Sequence, residues 1–297
     1  MIGLGVDLGG TSARVAAVEL ATGKLLHSSK HQHQDHAPQA IVEGLGAAIE
    51  ACAKQVGAAK DAPVGVGVAA QLDGQTVAVA PNLGWRDVPF GALLAGRLGR
   101  KVVLLNDLKV AAWGEFKAGA AKGESDSFTC FVGSGVGSAQ IAGGKMVWGG
   151  HGVAGELGHI KVVPDGGRLC GCGEHGCLEA YAGGHKIAEW MREEKIDGGA
   201  PELELLAFEG HARAKELWTI ATGFLSLALA NMVTVLNPGY LVLGGGVLSR
   251  CPRMYQRVVE TIGARAVAVS RRGLKIGMAQ LGDDAGVVGA ALLAAEQ

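Results

Sequence analysis

The sequence lacks an excess of charge of either sign. Its 27 Lys and Arg residues face 28 Asp and Glu residues, which leaves a formal net charge of −1. Nucleic acids and anionic membranes attract basic surfaces, so the composition supports neither as a partner. The opening residues, MIGLGVDLGG, contain neither a basic leader nor a long apolar core. We therefore expect no signal peptide and a cytoplasmic protein.

A disulfide framework and the common nucleotide motifs are also missing. Cys52, Cys130 and Cys251 lie far apart in apolar segments, which is typical of a reducing compartment. No glycine turn is followed by the Gly-Lys-Ser/Thr triplet of a Walker motif. None has the Rossmann spacing with its following acidic residue, so a dinucleotide cofactor is disfavoured.

The sequence does contain alternating strand and helix patterns, which predict an α/β protein. Two runs, from residue 2 and from residue 127, each open with a strand, a glycine turn and a hairpin. This repetition predicts two similar domains around a cleft. We expect an N-terminal α/β domain at residues 1–115 and a C-terminal α/β domain at residues 116–285. A helix at about 286–297 could pack back on the first domain.

One uncharged stretch, residues 217–236, has the length of a membrane span. It contains several Thr, Ser, Gly and Asn residues, and no basic residue follows its end before Pro238. We therefore expect a helix buried at a domain or subunit interface, not a membrane span.

Three cysteines and one histidine lie close together: His159, Cys170, Cys172 and Cys177. Thiolate and imidazole are the ligands that zinc prefers in closed tetrahedral sites. The carboxylates of Glu156 and Glu179 flank them. The pattern predicts a zinc site that fixes the geometry of neighbouring polar residues.

Three glycine-rich turns follow strands and could bind phosphates through their backbone N–H groups. Asp7 could hold a hydrated Mg²⁺ that bridges nucleotide phosphates. An ordinary hairpin with an aspartate turn is the alternative for the first of them. The predicted nucleotide-binding residues are Asp7, Gly9, Gly10, Thr11, Ser134, Gly135, Gly244, Gly245 and Gly246.

Asn106 and Asp107 end an apolar strand. Locally, Asp107 fits the N-cap of the next helix; alternatively, its carboxylate accepts a hydroxyl proton during phosphoryl transfer. Asn82 lies in a turn, where a plain asparagine turn is the alternative. A ring of hydrogen-bonding groups that suits a polyhydroxylated ligand would comprise Asn82, Asn106, Asp107, Glu156, His159 and Glu179. A loose group of four histidines at residues 27–36 reads as a solvated loop.

Together these residues resemble the ROK family of bacterial sugar kinases and sugar-responsive repressors, within the hexokinase-actin-Hsp70 superfamily. The resemblance runs from the turn at residues 7–11 to the segment 282–291. Its most specific parts are Gly-Glu-Leu-Gly-His at 155–159 and Cys-x-Cys-Gly-x-x-Gly-Cys-x-Glu at 170–179.

The resemblance implies two ribonuclease-H-like (actin-like ATPase) domains flanking a central cleft, and ATP-dependent phosphorylation of a hexose 6-hydroxyl, with glucose favoured. Asp107 would be the catalytic base. Asn82, Asn106, Glu156, His159 and Glu179 would hold the sugar. His159 would ligate structural zinc with Cys170, Cys172 and Cys177, and Mg²⁺ would accompany ATP. The turns at residues 9–11 and 134–135 would contact phosphates, and residues 244–246 the adenosine. A glycolytic homodimer or homotetramer is expected.

The sequence departs from the family pattern at several positions. Many members read Gly-Thr-Gly-x-Gly-Gly-Gly at the second turn; here Ser134, Ser138 and Ala139 replace Thr and two Gly. Ser138 and Ala139 thus place side chains where clearance for the nucleotide is usual. Lys109 follows the predicted base, where it either assists at the phosphates or faces solvent. Ser12 stands where many members have lysine, with Arg14 nearby.

Other functions are compatible with the same family. A kinase for N-acetylmannosamine, N-acetylglucosamine, fructose or allose would use the same hydroxyl ligands, and polyphosphate could replace ATP. Loops at residues 71–89 and 147–153 would determine the choice of sugar. A ROK repressor would carry a helix-turn-helix before the first glycine turn; since Asp7 is the seventh residue, we do not expect a repressor. A sugar sensor without kinase activity is disfavoured because Asp107 is present.

Overall fold

The computed structural model describes all 297 residues. The strands, in chain order, are β1 (Ile2–Leu8), β2 (Ser12–Glu19), β3 (Lys24–Gln32), β4 (Val64–Val68), β5 (Gln71–Asp73), β6 (Thr76–Ala80), β7 (Trp85–Val88), β8 (Val102–Asn106), β9 (Ser127–Val132), β10 (Val136–Ala142), β11 (Lys145–Met146), β12 (Tyr240–Gly244) and β13 (Lys275–Met278). The helices are α1 (Pro38–Val56), α2 (Phe90–Leu98), α3 (Asp107–Ala118), α4 (Glu179–Ala182), α5 (Gly184–Glu193), α6 (Ala200–Phe208), α7 (Ala212–Leu236), α8 (Gly246–Arg250), α9 (Pro252–Arg265) and α10 (Ala285–Ala294).

The chain divides into two compact units. The first comprises Met1–Gly123, Met146–Ala154 and Gln280–Gln297, and the second comprises Glu124–Lys145 and Gly155–Ala279. Each unit has its own five-stranded sheet, and each sheet has its own helices.

The main sheet of the first unit has the strand order β3-β2-β1-β4-β8. The first three strands are antiparallel neighbours, and β4 and β8 run parallel to β1. Helix α10 packs on β1 and β4. A Cβ atom at Gly5 would lie 1.8 Å from the carbonyl oxygen of Val287, and one at Gly65 would lie 2.0 Å from that of Ala290. These two glycines therefore let α10 rest directly on the sheet.

A second, three-stranded sheet in the first unit has the order β5-β6-β7 and is antiparallel throughout. It occupies the segment expected from the sequence to form loops around the sugar. Buried Val77 and Trp85 join it to the core that α1 and α2 share. The segment is thus regular structure with short connecting turns.

The sheet of the second unit repeats the same order, β11-β10-β9-β12-β13. β9 and β10 form an antiparallel hairpin, and β12 runs parallel to both β9 and β13. In both units an antiparallel meander is followed by parallel strands, which is the ribonuclease-H-like arrangement. The predicted fold class is confirmed.

Helix α7 contains the uncharged stretch. It is the one helix of the chain that is long and apolar enough to cross a membrane by length and composition. Leu217, Leu225 and Leu229 are nevertheless fully buried in the core of the second unit. On the other side of the helix, Leu227 and Val235 are exposed. One face of α7 is therefore core, and an interface role for the other face stays a prediction.

Candidate active site

The first glycine turn joins β1 to β2 and is held by a histidine. Within the turn, the Gly9 N–H donates to the Ser12 carbonyl at 3.0 Å. His33, just after β3, contributes its backbone N–H to Thr11 O at 3.2 Å and its Nε2 to Gly9 O at 2.9 Å. Because a carbonyl oxygen only accepts, His33 Nε2 carries the proton. The predicted phosphate-binding residues 9–11 thus form one fixed turn.

Charged side chains lie next to this turn. The strand register places Asp7, Arg14 and Lys30 side by side across β1, β2 and β3, and Arg14 pairs with Asp284. Burial raises the pKa of the Asp7 carboxyl above its usual value; Arg14 opposes the rise and Asp283 adds to it. A carboxylate whose negative charge is penalised by burial gains from a nearby cation. A cavity of about 220 Å³ is lined by Asp7, Gly9, Ser12, Arg14, Lys30 and Asp283.

The Asn106-Asp107 pair lies at the junction of β8 and α3. Asn106 Oδ1 accepts hydrogen bonds from the Leu108 and Lys109 N–H groups, both at 3.2 Å. The N-cap is therefore Asn106, and the expectation that Asp107 caps the helix is wrong. Asp107 is the first helical residue and is partly exposed. Lys109 is only 4% exposed, so the solvent-facing alternative for this lysine is also wrong.

Asn82 lies in a short 3-10 helix, Pro81–Leu83, that ends at the left-handed Gly84. A Cβ atom at Gly10 would lie 2.9 Å from the Asn82 carbonyl oxygen. The predicted sugar ligand and the first glycine turn are therefore in direct backbone contact. Any side chain at position 10 would displace Asn82.

The second glycine turn joins β9 to β10 and is held by the start of α5. The Gly184 N–H donates to Gly133 O at 2.8 Å, and the His185 N–H donates to Ser134 O at 2.9 Å. The Ser134 side chain is exposed. A Cβ atom at Gly135 would lie 2.3 Å from Glu179 Oε2. This turn therefore contacts both a helix terminus and a predicted sugar ligand.

Two further predicted sugar ligands, Glu156 and His159, sit on a tight turn of the second unit. Leu157–His159 forms a 3-10 helix, and Glu156 Oε2 lies 3.8 Å from His159 Nε2. Nearby, Glu179 Oε2 accepts the Val136 N–H at 2.9 Å. β10 thereby fixes the Glu179 carboxylate at its own first residue.

The predicted metal ligands converge. One ligand atom from each of His159, Cys170, Cys172 and Cys177 lies within 4.8 Å of all the others. The Cys172 and Cys177 Sγ atoms are 3.8 Å apart, and Cys170 Sγ is 3.7 Å from His159 Nδ1. Two thiolates on a tetrahedral zinc, at a Zn–S distance of about 2.3 Å, are separated by roughly 3.8 Å. The donor set therefore fits zinc in both chemistry and spacing.

The two nitrogens of His159 face different neighbours. Nδ1 points to the cysteines, and Nε2 points to Glu156. One imidazole can thus bind a metal through Nδ1 and present Nε2 elsewhere. This resolves how one histidine can belong to both predicted sets.

The third glycine run ends β12. Gly244 is buried, Gly245 has a φ of 88°, and α8 begins at Gly246. A Cβ atom at Gly245 would lie 2.4 Å from the carbonyl oxygen of Val132, the last residue of β9. The run therefore packs against the strand that leads into the second glycine turn. The short helix α8 starts at Gly246, and α9 follows it from Pro252.

Two residues with a structural part in the site were not recognised from the sequence. His33 lies in the histidine-rich segment that was read as a solvated loop, yet it binds the first glycine turn. Its neighbourhood follows from the hairpin register, since Ser12 pairs with Gln32 and Thr11 therefore meets His33. Ser138 was noted only as an obstacle to the nucleotide. Its side chain is instead buried and bonded to Gly155.

The fold and these residues define a class: two actin-like ATPase units, the second with a cluster of Cys and His side chains that could hold a metal, beside acidic residues. The family model described as "ROK family" matches residues 3–297. The chain belongs to the ROK family.

Similar proteins match along nearly the whole chain. A glucokinase of Streptomyces coelicolor is 33% identical over 320 residues, which cover 99% of this chain and 97% of the relative. The ROK hexokinase of Thermus thermophilus superposes with a TM-score of 0.87 at 32% identity, covering 98% of this chain and 97% of that one. A ROK glucokinase of Streptomyces griseus, solved with glucose and AMPPNP, superposes with a TM-score of 0.77 at 31% identity and covers all of both chains.

Proposed function

We propose that this protein is an ATP-dependent hexose kinase that phosphorylates the 6-hydroxyl of glucose. The observation that carries the proposal is the match along the entire chain to a glucokinase solved with glucose and an ATP analogue. The sequence retains the residues that such a reaction needs, and the local geometry of each is compatible with its role.

Asp107 is the proposed base. Asp107 is the first residue of α3, and Asn106, not Asp107, caps this helix. The Asp107 carboxylate is proposed to accept the 6-hydroxyl proton as the oxygen attacks the γ-phosphate. Asn82, Asn106, Glu156, His159 and Glu179 are the proposed sugar ligands. The nucleotide phosphates are proposed to bind at residues 9–11 and 134–135, with Mg²⁺ near Asp7, and the adenosine beside residues 244–246.

The decisive experiment is a coupled assay with ATP and Mg²⁺ across glucose, mannose, fructose, allose, N-acetylglucosamine and N-acetylmannosamine. We expect the highest kcat/KM with glucose. Asp107→Asn should keep glucose affinity within a fewfold and lose at least about 100-fold in kcat, the usual contribution of a general base. Asp61→Asn, an exposed carboxylate change in the same unit, serves as the matched control.

The assay tests the kinase activity, the identity of the base and the choice of sugar separately. Absence of turnover with every hexose would overturn the kinase proposal. A kcat near the wild-type value in Asp107→Asn would remove Asp107 from the role of base. Preference for an N-acetyl sugar would move the protein to another branch of ROK kinases.

Zinc is proposed as a structural ion held by His159, Cys170, Cys172 and Cys177. Four protein ligands leave no open position for water, so the ion would fix the loop and not activate a nucleophile. Burial raises the pKa of the Cys170 thiol to about 12, so metal binding must displace its proton. Zinc retention should therefore weaken as the pH falls. One zinc per chain by elemental analysis, lost in Cys172→Ala, is the expected result.

We further propose a cytoplasmic, glycolytic protein that self-associates as a homodimer or homotetramer. Exposed apolar side chains on α7, such as Leu227 and Val235, support self-association. Light scattering at several concentrations measures the state directly. A monomer at every concentration would contradict the proposal.

A further inference from the structure

The carbonyl oxygen of Gly155 is the most heavily hydrogen-bonded group around the predicted sugar ligands of the second unit. It accepts the Leu157 N–H at 2.8 Å, the Ser138 N–H at 3.2 Å and the Ser138 hydroxyl at 2.8 Å. Ser138 is 4% exposed, and its neighbour Ala139 is 1% exposed. The Ser138 hydroxyl is therefore committed to this carbonyl and does not reach into solvent.

The approach of the turn to β10 is close enough to require glycine. Gly155 has a φ of 100°, and a Cβ atom there would lie 2.2 Å from the Ser138 carbonyl oxygen. The backbone of residue 155 thus lies flat against the strand, and Ser138 contacts it from both its backbone and its side chain. A side chain at residue 155 would therefore push the turn away from β10.

Glu156 follows immediately, and nothing comparable holds its side chain. That side chain is 58% exposed, and the nearest ionisable group is the imidazole of His159, whose Nε2 lies 3.8 Å from Glu156 Oε2. The position of the Glu156 carboxylate therefore depends on where the backbone of the turn is fixed. The far end of the turn is fixed by the Leu178 N–H, which donates to Ile160 O at 3.0 Å. The near end is fixed by Ser138.

β10 also fixes the other carboxylate. The Val136 N–H donates to Glu179 Oε2 at 2.9 Å, two residues before Ser138 on the same strand. Residues 136 and 138 point their hydrogen-bonding groups at Glu179 and at the Glu156 turn respectively. One strand therefore sets the spacing between two predicted sugar ligands.

We infer that Ser138 is a positioning residue for hexose binding: its hydroxyl clamps Gly155 and so places Glu156 and His159 on the sugar hydroxyls. The inference rests on the proposed function. Ser138, which interrupts the glycine-rich turn, thus supports sugar binding and not nucleotide binding. A hydroxyl in this place restricts the turn before the sugar arrives, which lowers the ordering cost of binding.

The experiment compares Ser138→Ala and Ser138→Gly with Ser127→Ala. Ser127 is also fully buried on the adjoining strand β9, and its hydroxyl has no hydrogen-bond partner, so the control removes the same group without touching the turn. Glucose dissociation constants are measured by calorimetry without nucleotide, and KM values for glucose and ATP and kcat are measured in the coupled assay.

Both Ser138 variants should raise the glucose Kd and KM about threefold to tenfold, the effect of one lost hydrogen bond, with kcat and the ATP KM within twofold of wild type. Ser127→Ala should leave all four constants unchanged. A glucose Kd equal to wild type in folded Ser138→Ala and Ser138→Gly would overturn the inference, as would a rise confined to the ATP KM. If wild-type protein binds and phosphorylates no hexose, the proposed function fails instead, which is a separate outcome.

Discussion

The glycine turns of the two units occupy equivalent places in two sheets of the same order, yet they are held by different means. In the first unit a side chain, His33, reaches the Gly9 carbonyl. In the second unit the main chain of α5 donates to the carbonyls of Gly133 and Ser134. A turn held by a side chain can be loosened by a single truncation, whereas a turn held by main chain responds only to a change in backbone position. Equal topology therefore does not imply equal sensitivity to mutation.

The strands that lead into the two turns differ as well. Asp7 stands two residues before Gly9, and Phe131 stands two residues before Gly133. The first unit thus brings a half-buried carboxylate to its turn, where the second has an aromatic ring. If both turns bind the nucleotide as proposed, the charge of the Asp7 carboxylate in the first unit would hold Mg²⁺, and the second turn would contribute backbone groups without a charge.

The largest expected effect comes from removing that charge. Asp7→Asn should lower kcat/KM for ATP by roughly 100-fold or more, since the carboxylate proposed to hold the Mg²⁺ of the nucleotide is lost. The same change should raise the melting temperature of the ligand-free protein. Burial raises the pKa of Asp7, so its ionised form is disfavoured in the folded chain relative to the unfolded one.

The expected gain in the stability of Asp7→Asn depends on pH, which distinguishes it from the effect on kcat/KM. A group whose pKa is raised by folding binds its proton more tightly in the folded chain, so the stability it contributes is lost as the pH rises through that pKa. Relative to wild type, Asp7→Asn should therefore be more stable at neutral pH, and the difference should shrink as the pH is lowered. Calorimetric melting without nucleotide between pH 4 and pH 8 measures this. A destabilised variant at neutral pH would show that Asp7 is a structural residue.

The second expected effect concerns the second glycine turn, which the main-chain N–H groups of α5 hold. A Cβ atom at Gly184 would lie 2.6 Å from the Gly133 carbonyl oxygen, so Gly184→Ala must move the turn. A shift of this kind should raise the ATP KM roughly tenfold or more, because small displacements of binding groups are costly. The matched control is Gly263→Ala on α9, where an added Cβ meets nothing within 4 Å. An unchanged ATP KM in a folded Gly184→Ala protein would remove the second turn from the phosphate site.

Local patterns allowed the main elements to be predicted from the sequence. Apolar strands that end in glycine turns located β1, β9 and β12. The spacing of His159, Cys170, Cys172 and Cys177 predicted a cluster of metal ligands because all four lie within nineteen residues of the sequence. The three-stranded sheet was missed because its strands have only three to five residues each, too short for a clear period-2 pattern.

The remaining features depend on contacts between distant segments. The N-cap role of Asn106 required knowing that α3 begins at Asp107, one residue earlier than a cap at Asp107 implies, and element boundaries are the least certain part of any sequence pattern. The bond from Ser138 to Gly155 joins residues 17 positions apart that no periodicity connects. Side-chain direction at such junctions follows from tertiary packing, which the sequence pattern does not encode.

The smallest expected effect concerns the first glycine turn, to which the His33 side chain is hydrogen-bonded. His33→Ala removes the donor to Gly9 O but leaves the backbone bonds of Gly9 to Ser12 and of His33 to Thr11. The ATP KM should rise about threefold to tenfold, as for one hydrogen bond, with the glucose Kd unchanged. His33→Gln keeps a side-chain N–H donor and should recover part of the loss, whereas His27→Ala in β3 should have no effect. If His33→Ala raised the ATP KM as much as Gly184→Ala does, the His33 side chain alone would hold the first turn in place. The proposed difference in sensitivity between the two turns would then be wrong.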